Sequence, residues 1–156
     1  MSPIQAIAVL SGDVNGTVRF IEEGNKLKIN IDIKGLKPNF EHGFHVHSAG
    51  DLTDGCTSAC AHFNPFGMTH GGPNSKVRHV GDLGNIKTDK SGKAKYSFYD
   101  PMIKLRGKCN IIGRMIVIHD KTDDLGKGGD AESLKTGNAG KRIACAVIGY
   151  AKENFK

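Results

Sequence analysis

Apolar and polar residues alternate with a period of two along much of this chain. The runs Thr17-Val18-Arg19-Phe20-Ile21 and Leu27-Lys28-Ile29-Asn30-Ile31-Asp32-Ile33 both follow it, as strands with one buried face do. Gly24-Asn25 marks a turn between them. Further strands are predicted at 4–10, 43–47, 79–86, 93–99, 114–119 and 143–150, which makes eight. No stretch carries a long helical period. Short strands joined by glycine-rich turns predict an all-β fold, an eight-stranded Greek-key β-barrel or immunoglobulin-like sandwich. Two long irregular stretches, 48–78 and 120–142, interrupt the strands. Loops of that length in a compact domain are usually functional.

Composition narrows the picture. A chain of 156 residues predicts one domain over 1–156, with enough length to bury a core. No apolar run approaches transmembrane length, so no membrane association is expected. The opening Met1-Ser2-Pro3-Ile4-Gln5-Ala6 lacks a basic segment followed by an apolar one, and a cytoplasmic location is expected. The net charge is +6, but the lysines are dispersed; the densest group, Lys104-Leu105-Arg106-Gly107-Lys108, has no interleaved aromatic residue. Nucleic acid is therefore not an expected partner. Attraction of a small anion into a positive cleft fits the charge better. The cysteines are Cys56, Cys60, Cys109 and Cys145. Reduced thiols are the cytoplasmic default, although the spacing of Cys56 and Cys60 would also allow zinc ligation.

Six of seven histidines form one series: His45, His47, His62, His70, His79 and, far downstream, His119, with Asp82 three residues after His79. That is too many ligand-grade side chains for one metal ion. On a strand, His45 and His47 point to the same face and Val46 to the other. Imidazole suits copper and zinc, and a carboxylate can complete a zinc tetrahedron. His62, His70 and His79 are separated by Gly, Pro and Asn-rich loop, which a shared metal ion would order. The pattern predicts one strand-based and one loop-based site. His42 faces away from the His45–His47 pair, and a structural hydrogen bond is its expected role.

Several long motifs carry a resemblance. Gly43-Phe44-His45-Val46-His47, Gly55-Cys56-Thr57-Ser58-Ala59, His62-Phe63-Asn64-Pro65, His70-Gly71-Gly72-Pro73, Arg78-His79-Val80-Gly81-Asp82-Leu83-Gly84-Asn85, Asp123-Asp124-Leu125-Gly126-Lys127-Gly128-Gly129 and Gly137-Asn138-Ala139-Gly140 resemble, in order, those of the cytosolic copper/zinc superoxide dismutases. The resemblance implies copper held by His45, His47, His62 and His119, zinc held by His62, His70, His79 and Asp82, and His62 bridging the two. Asp123 would accept hydrogen bonds from a histidine of each set. Arg142 would sit beside copper, and Cys56 and Cys145 would form a disulfide. The implied reaction is disproportionation of superoxide to dioxygen and hydrogen peroxide, with His62 and Arg142 as the catalytic pair and Glu132, Lys135 and Lys141 guiding the anion. A homodimer and a copper-delivering chaperone are the implied partners, the dimer contacts falling at Ala49, Gly50, Ile112, Gly113 and Tyr150.

The chain departs from that pattern in places. Cys60 stands where the family usually has glycine and Ala61 where it usually has proline. Cys60 is expected to be a buried thiol, since free cysteine packs as a small apolar group. Ala131 replaces a common glutamate and Lys141 adds a charge beside Arg142, so the cleft is expected to be more positive. Ala49 and Tyr150 exchange large and small residues at the expected dimer contact.

Overall fold

The computed structural model describes residues 2–155; Met1 of the opening segment and Lys156, the two ends of the expected domain, lie outside them. Among the described residues there are nine strands: β1 (Gln5–Leu10), β2 (Asn15–Glu23), β3 (Lys26–Lys34), β4 (Glu41–His47), β5 (Asp82–Lys87), β6 (Ala94–Asp100), β7 (Met115–His119), β8 (Arg142–Val147) and β9 (Gly149–Tyr150). They form two antiparallel sheets, β6-β3-β2-β1-β9 and β5-β4-β7-β8. The fold is thus the Greek-key sandwich and not the closed barrel, because no strand ladder joins the edges of one sheet to those of the other. Among the described residues no helix is long and apolar enough to cross a membrane.

Alternation explains the first hairpin. Val18 and Phe20 on β2 and Leu27, Ile29, Ile31 and Ile33 on β3 are buried, and Glu23 pairs with Lys26 across the predicted turn. Gly24 takes φ +63° there, a conformation that costs glycine little. Two predicted strands differ in outcome. Residues 143–150 do not run as one strand, because Ile148 is fully buried and exchanges backbone hydrogen bonds with Arg114 and Gly113. The chain crosses between sheets at that point, so Gly149 and Tyr150 pair with Ile7 and Ala6 of β1. Residues 79–81 also lie outside β5: the Gly81 N–H donates to the Phe63 carbonyl and the Gly81 carbonyl accepts from Val46, which ties this stretch to the first long loop.

The two faces of the four-stranded sheet are covered by different things. Phe44 and Val46 of β4 and Ile116 and Ile118 of β7 enter the core between the sheets, each contributing about 1.5–3 kcal/mol. Their neighbours His45, His47, Val117 and His119 point to the opposite face, yet are buried as well. The long loops cover them. Ala59, Met115 and Val117 form a separate small cluster with Cys145 packed against it.

Candidate metal centre

Four histidines converge on the loop-covered face. β4 supplies His45 and His47, and β7 ends on His119. Register shifts beside His45 in the β4–β5 pairing and at His119 in the β7–β8 pairing re-aim these side chains. An isolated antiparallel bridge pairs His62 with His47 and brings the loop residue alongside the strand. One ligand atom from each of the four lies within 4.8 Å of the others. In each ring one nitrogen is anchored and the other is buried without a hydrogen-bond partner: His45 Nδ1, His47 Nε2, His62 Nε2 and His119 Nε2. The anchors are Asp123 Oδ2 for His45 Nε2 at 2.6 Å, the Cys60 carbonyl for His47 Nδ1 at 2.7 Å and the Gly140 carbonyl for His119 Nδ1 at 3.1 Å. Such anchors fix tautomer and orientation. Buried polar atoms are nearly always partnered, so four orphans at one point form a donor set that fits a metal ion. His42 is outside this set; its Nδ1 donates to the His119 carbonyl at 2.8 Å, the structural role expected of it.

A second donor set shares His62. Asp82 Oδ1 lies 2.9 Å from His62 Nδ1, 3.0 Å from His70 Nδ1 and 3.2 Å from His79 Nδ1, and the Nδ1 atoms of His62 and His79 are 3.1 Å apart. Ligands about 2.0 Å from a tetrahedral zinc sit roughly 3.3 Å from one another, so these spacings fit such an ion. His70 Nδ1 is out of line for a hydrogen bond despite its distance, as a metal-facing lone pair would be. His45 also has a ligand atom within 4.8 Å of those of His62, His70 and Asp82, but its Nε2 is committed to Asp123, and His79 faces Asp82 more closely. The outer oxygen of Asp82 accepts the backbone N–H groups of Gly71 at 3.0 Å and His79 at 2.8 Å.

The electrostatics separate the sets. Burial pushes His47 down to about 2 and His119 to about 4, with repulsion from His62 adding to both. His45 is lowered for the same first reason. These rings are neutral, the form that binds metal. In the second set burial also opposes charge, but the carboxylates of Asp123, which accepts from Nε2, and of Asp82, beside Nδ1, outweigh it and raise His70 to about 9. Asp82 is held far below the usual carboxylate range: burial resists ionisation, and the contacts with His62, His70 and His79 overcome it.

Asp123 lies between the sets. Its Oδ2 takes His45 and its Oδ1 takes His70 Nε2 at 2.8 Å, while Asn85 bonds its backbone from both sides. Gly137, at φ +71°, passes so close that a Cβ there would lie 2.1 Å from Asp123 Oδ1 and 2.5 Å from His70 Nε2.

A cleft of about 900 Å³ opens onto the first set, and its lining includes His47, His62, His119 and Arg142. Cys56 and Cys145 are joined by a disulfide with Cα atoms 5.8 Å apart. This bond ties the first loop to β8, the strand that begins at Arg142. The Arg142 guanidinium donates to the Cys56 carbonyl at 2.8 Å and the Cys60 carbonyl at 2.7 Å. Glu132 and Lys135 line the cleft, and so does Lys121, another charge of the same loop; Lys141 does not line it. Lys121 directly follows Asp120 at the loop entrance, and only the loop's path brings it to the wall. Cys60 is exposed, contrary to the buried thiol expected. Its backbone, at φ +66° and ψ −150°, turns the carbonyl inward to His47 and Arg142 and the thiol outward, where Sγ lies 3.5 Å from the Ser58 carbonyl.

A β-sandwich that buries two histidine-rich donor sets sharing one imidazole defines a binuclear metalloprotein. The family model for copper/zinc superoxide dismutase matches residues 14–148. The chain is 80% identical over 153 residues to superoxide dismutase [Cu-Zn] of Paramecium bursaria Chlorella virus 1, covering 98% of this chain and 82% of that one. It is 56% identical over 150 residues to the Saccharomyces cerevisiae protein of the same name, covering 94% and 97%. A solved structure described as the clock protein EA4 superposes with a TM-score of 0.93 at 46% identity, covering 97% of each chain. The chain belongs to the copper/zinc superoxide dismutase family.

Proposed function

We propose that this chain is a superoxide dismutase that disproportionates superoxide to dioxygen and hydrogen peroxide, with copper and zinc as its cofactors. The observation that carries the reading is the pair of buried donor sets joined through His62. Copper would be held by His45, His47, His62 and His119, and zinc by His62, His70, His79 and Asp82. Bound copper supplies one-electron oxidation and reduction, whereas bound zinc has no redox chemistry and orders its loop.

The remaining chemistry belongs to the chain. His62 presents Nε2 to one set and Nδ1 to the other, so Nε2 is where a proton can be held between half-reactions and passed to the departing peroxide. Arg142 is always charged and presents a planar donor fork. Clamped by two carbonyls and facing the cleft, it attracts and orients the monoanion. Lys121 and Lys135 on the wall add to the attraction, which fades as salt screens it.

The chain works as a homodimer in this reading. Tyr150 is 53% exposed and meets the 75% exposed Phe155 edge-on, with ring centroids 6.4 Å apart, and Val9 of β1, the strand that pairs with β9, is 61% exposed. An apolar surface of this kind suits an isologous contact, and sedimentation would read the mass. A cytoplasmic setting and a copper-delivering partner complete the proposal, both resting on the family resemblance.

The test is superoxide decay with copper- and zinc-loaded protein at low and moderate salt. A fast, metal-dependent rate that falls with salt is expected. A negligible rate with both metals bound would overturn the reading.

A further inference from the structure

We infer that Met68 is a modification site, the methionine that hydrogen peroxide formed in the adjoining cleft oxidises to methionine sulfoxide. Met68 lines the same cleft as His47, His62, His119 and Arg142. It is 46% exposed, whereas Met115 is fully buried and Met102 is partly buried against the main core. Its position is built. The Met68 N–H donates to Asn64 Oδ1 and the Met68 carbonyl accepts from Asn64 Nδ2, both at 2.9 Å. This reciprocal amide clamp keeps the backbone of residue 68 on the cleft wall, so peroxide leaving the histidine cluster shares its cavity with the thioether.

The chemistry needs no further oxidant. A sulfur lone pair attacks one peroxide oxygen, the S–O bond forms and the O–O bond breaks. The displaced oxygen takes the proton left on the transferred one and leaves as water. Sulfur loses two electrons and peroxide gains two. The change turns a flexible apolar group into a polar one. The sulfoxide oxygen carries partial negative charge into a cleft walled by Lys121, Lys135 and Arg142, and so opposes entry of the monoanion.

This inference rests on the dismutase reading for the source of peroxide, and two arms separate them. Metal-loaded protein receives hydrogen peroxide in one arm and a superoxide-generating system in the other. Cleavage after lysine and arginine places Met68, Met102 and Met115 in different peptides, and fragmentation distinguishes methionine sulfoxide from oxidised histidine. Met68 is expected to gain one oxygen several-fold faster than Met102 or Met115 under added peroxide, and to gain it during superoxide consumption. Met68→Leu should remove that gain from its peptide and leave Met102 unchanged. The inference is overturned if Met102 or Met115 keeps pace with Met68 under added peroxide, or if superoxide is consumed while Met68 stays unoxidised. Failure of the dismutase reading looks different: superoxide would persist, and the peroxide arm would still rank the methionines.

Discussion

The outer faces of the two sheets are opposites. On the five-stranded sheet, Arg19, Lys28, Asn30, Lys95 and Ser97 face water, and the strands need only one apolar side. On the four-stranded sheet the corresponding face carries His45, His47, Val117 and His119 and is closed over by loops with few large apolar residues. The first face is stabilised by what lies behind it. The second depends on a disulfide, two donor sets and the Asp123 hydrogen bonds. Covering a face with loops therefore transfers its stability from the hydrophobic effect to specific links, each removable by chemistry.

Metal removal should separate the faces most. At free-ion levels about 1,000-fold above its dissociation constant each ion adds about 4 kcal/mol, so stripping both should remove about 8 kcal/mol. Hydrogen exchange would locate the loss in 48–81 and 120–141 while β2 and β3 stay protected; uniform loss would break the contrast. Next comes the disulfide. Cys145→Ser opens a closure spanning 89 residues, a loss of about 4–5 kcal/mol in the chain-entropy model, measurable by urea unfolding of the metal-free protein.

Acid should then find the same face. His47 and His119 have folded values depressed to about 2 and about 4 from 6.5. The unfolded chain therefore binds protons first, and the stability these rings contribute is present above pH 6.5 and lost as pH falls towards 4. Metal-free protein should lose about 3 kcal/mol per ring across that window; a flat profile would count against the neutral cluster. Cys60→Gly should gain about 1 kcal/mol, because φ +66° with ψ −150° is a region essentially reserved for glycine. No gain on thermal melting would mean that the strain is absent. Lys95→Gln, on the open face, should stay within about 0.5 kcal/mol.

The same contrast explains what the sequence could tell. Alternation located β2, β3 and their turn, because one-sided burial leaves a period-two trace. The donor residues stood out by type and order. The crossing at Ile148 left no trace, since the pattern is the same on either sheet and only the backbone partners change. Lys121 was legible only as one charge of the second long loop, and Met68 was silent: their place on the cleft wall follows from loop paths set by Asn64, Asp120 and the disulfide. Cys60 misled for a related reason. Its residue type suggests packing, but its backbone conformation decides where the thiol points, and conformation was visible only in the family's preference for glycine there.

Asp123 has a consequence for how the two ions report on each other. One carboxylate holds His45 with one oxygen and His70 with the other, so a ring cannot settle into its binding pose without drawing on the group that poses its counterpart. An ion that fixes His70 has already paid for part of the order that the other site requires. Linkage is reciprocal: if zinc raises the affinity for copper by some factor, copper raises that for zinc by the same factor. The empty, half-filled and full forms are then not independent populations, and Asp123 is the hinge of their cooperativity.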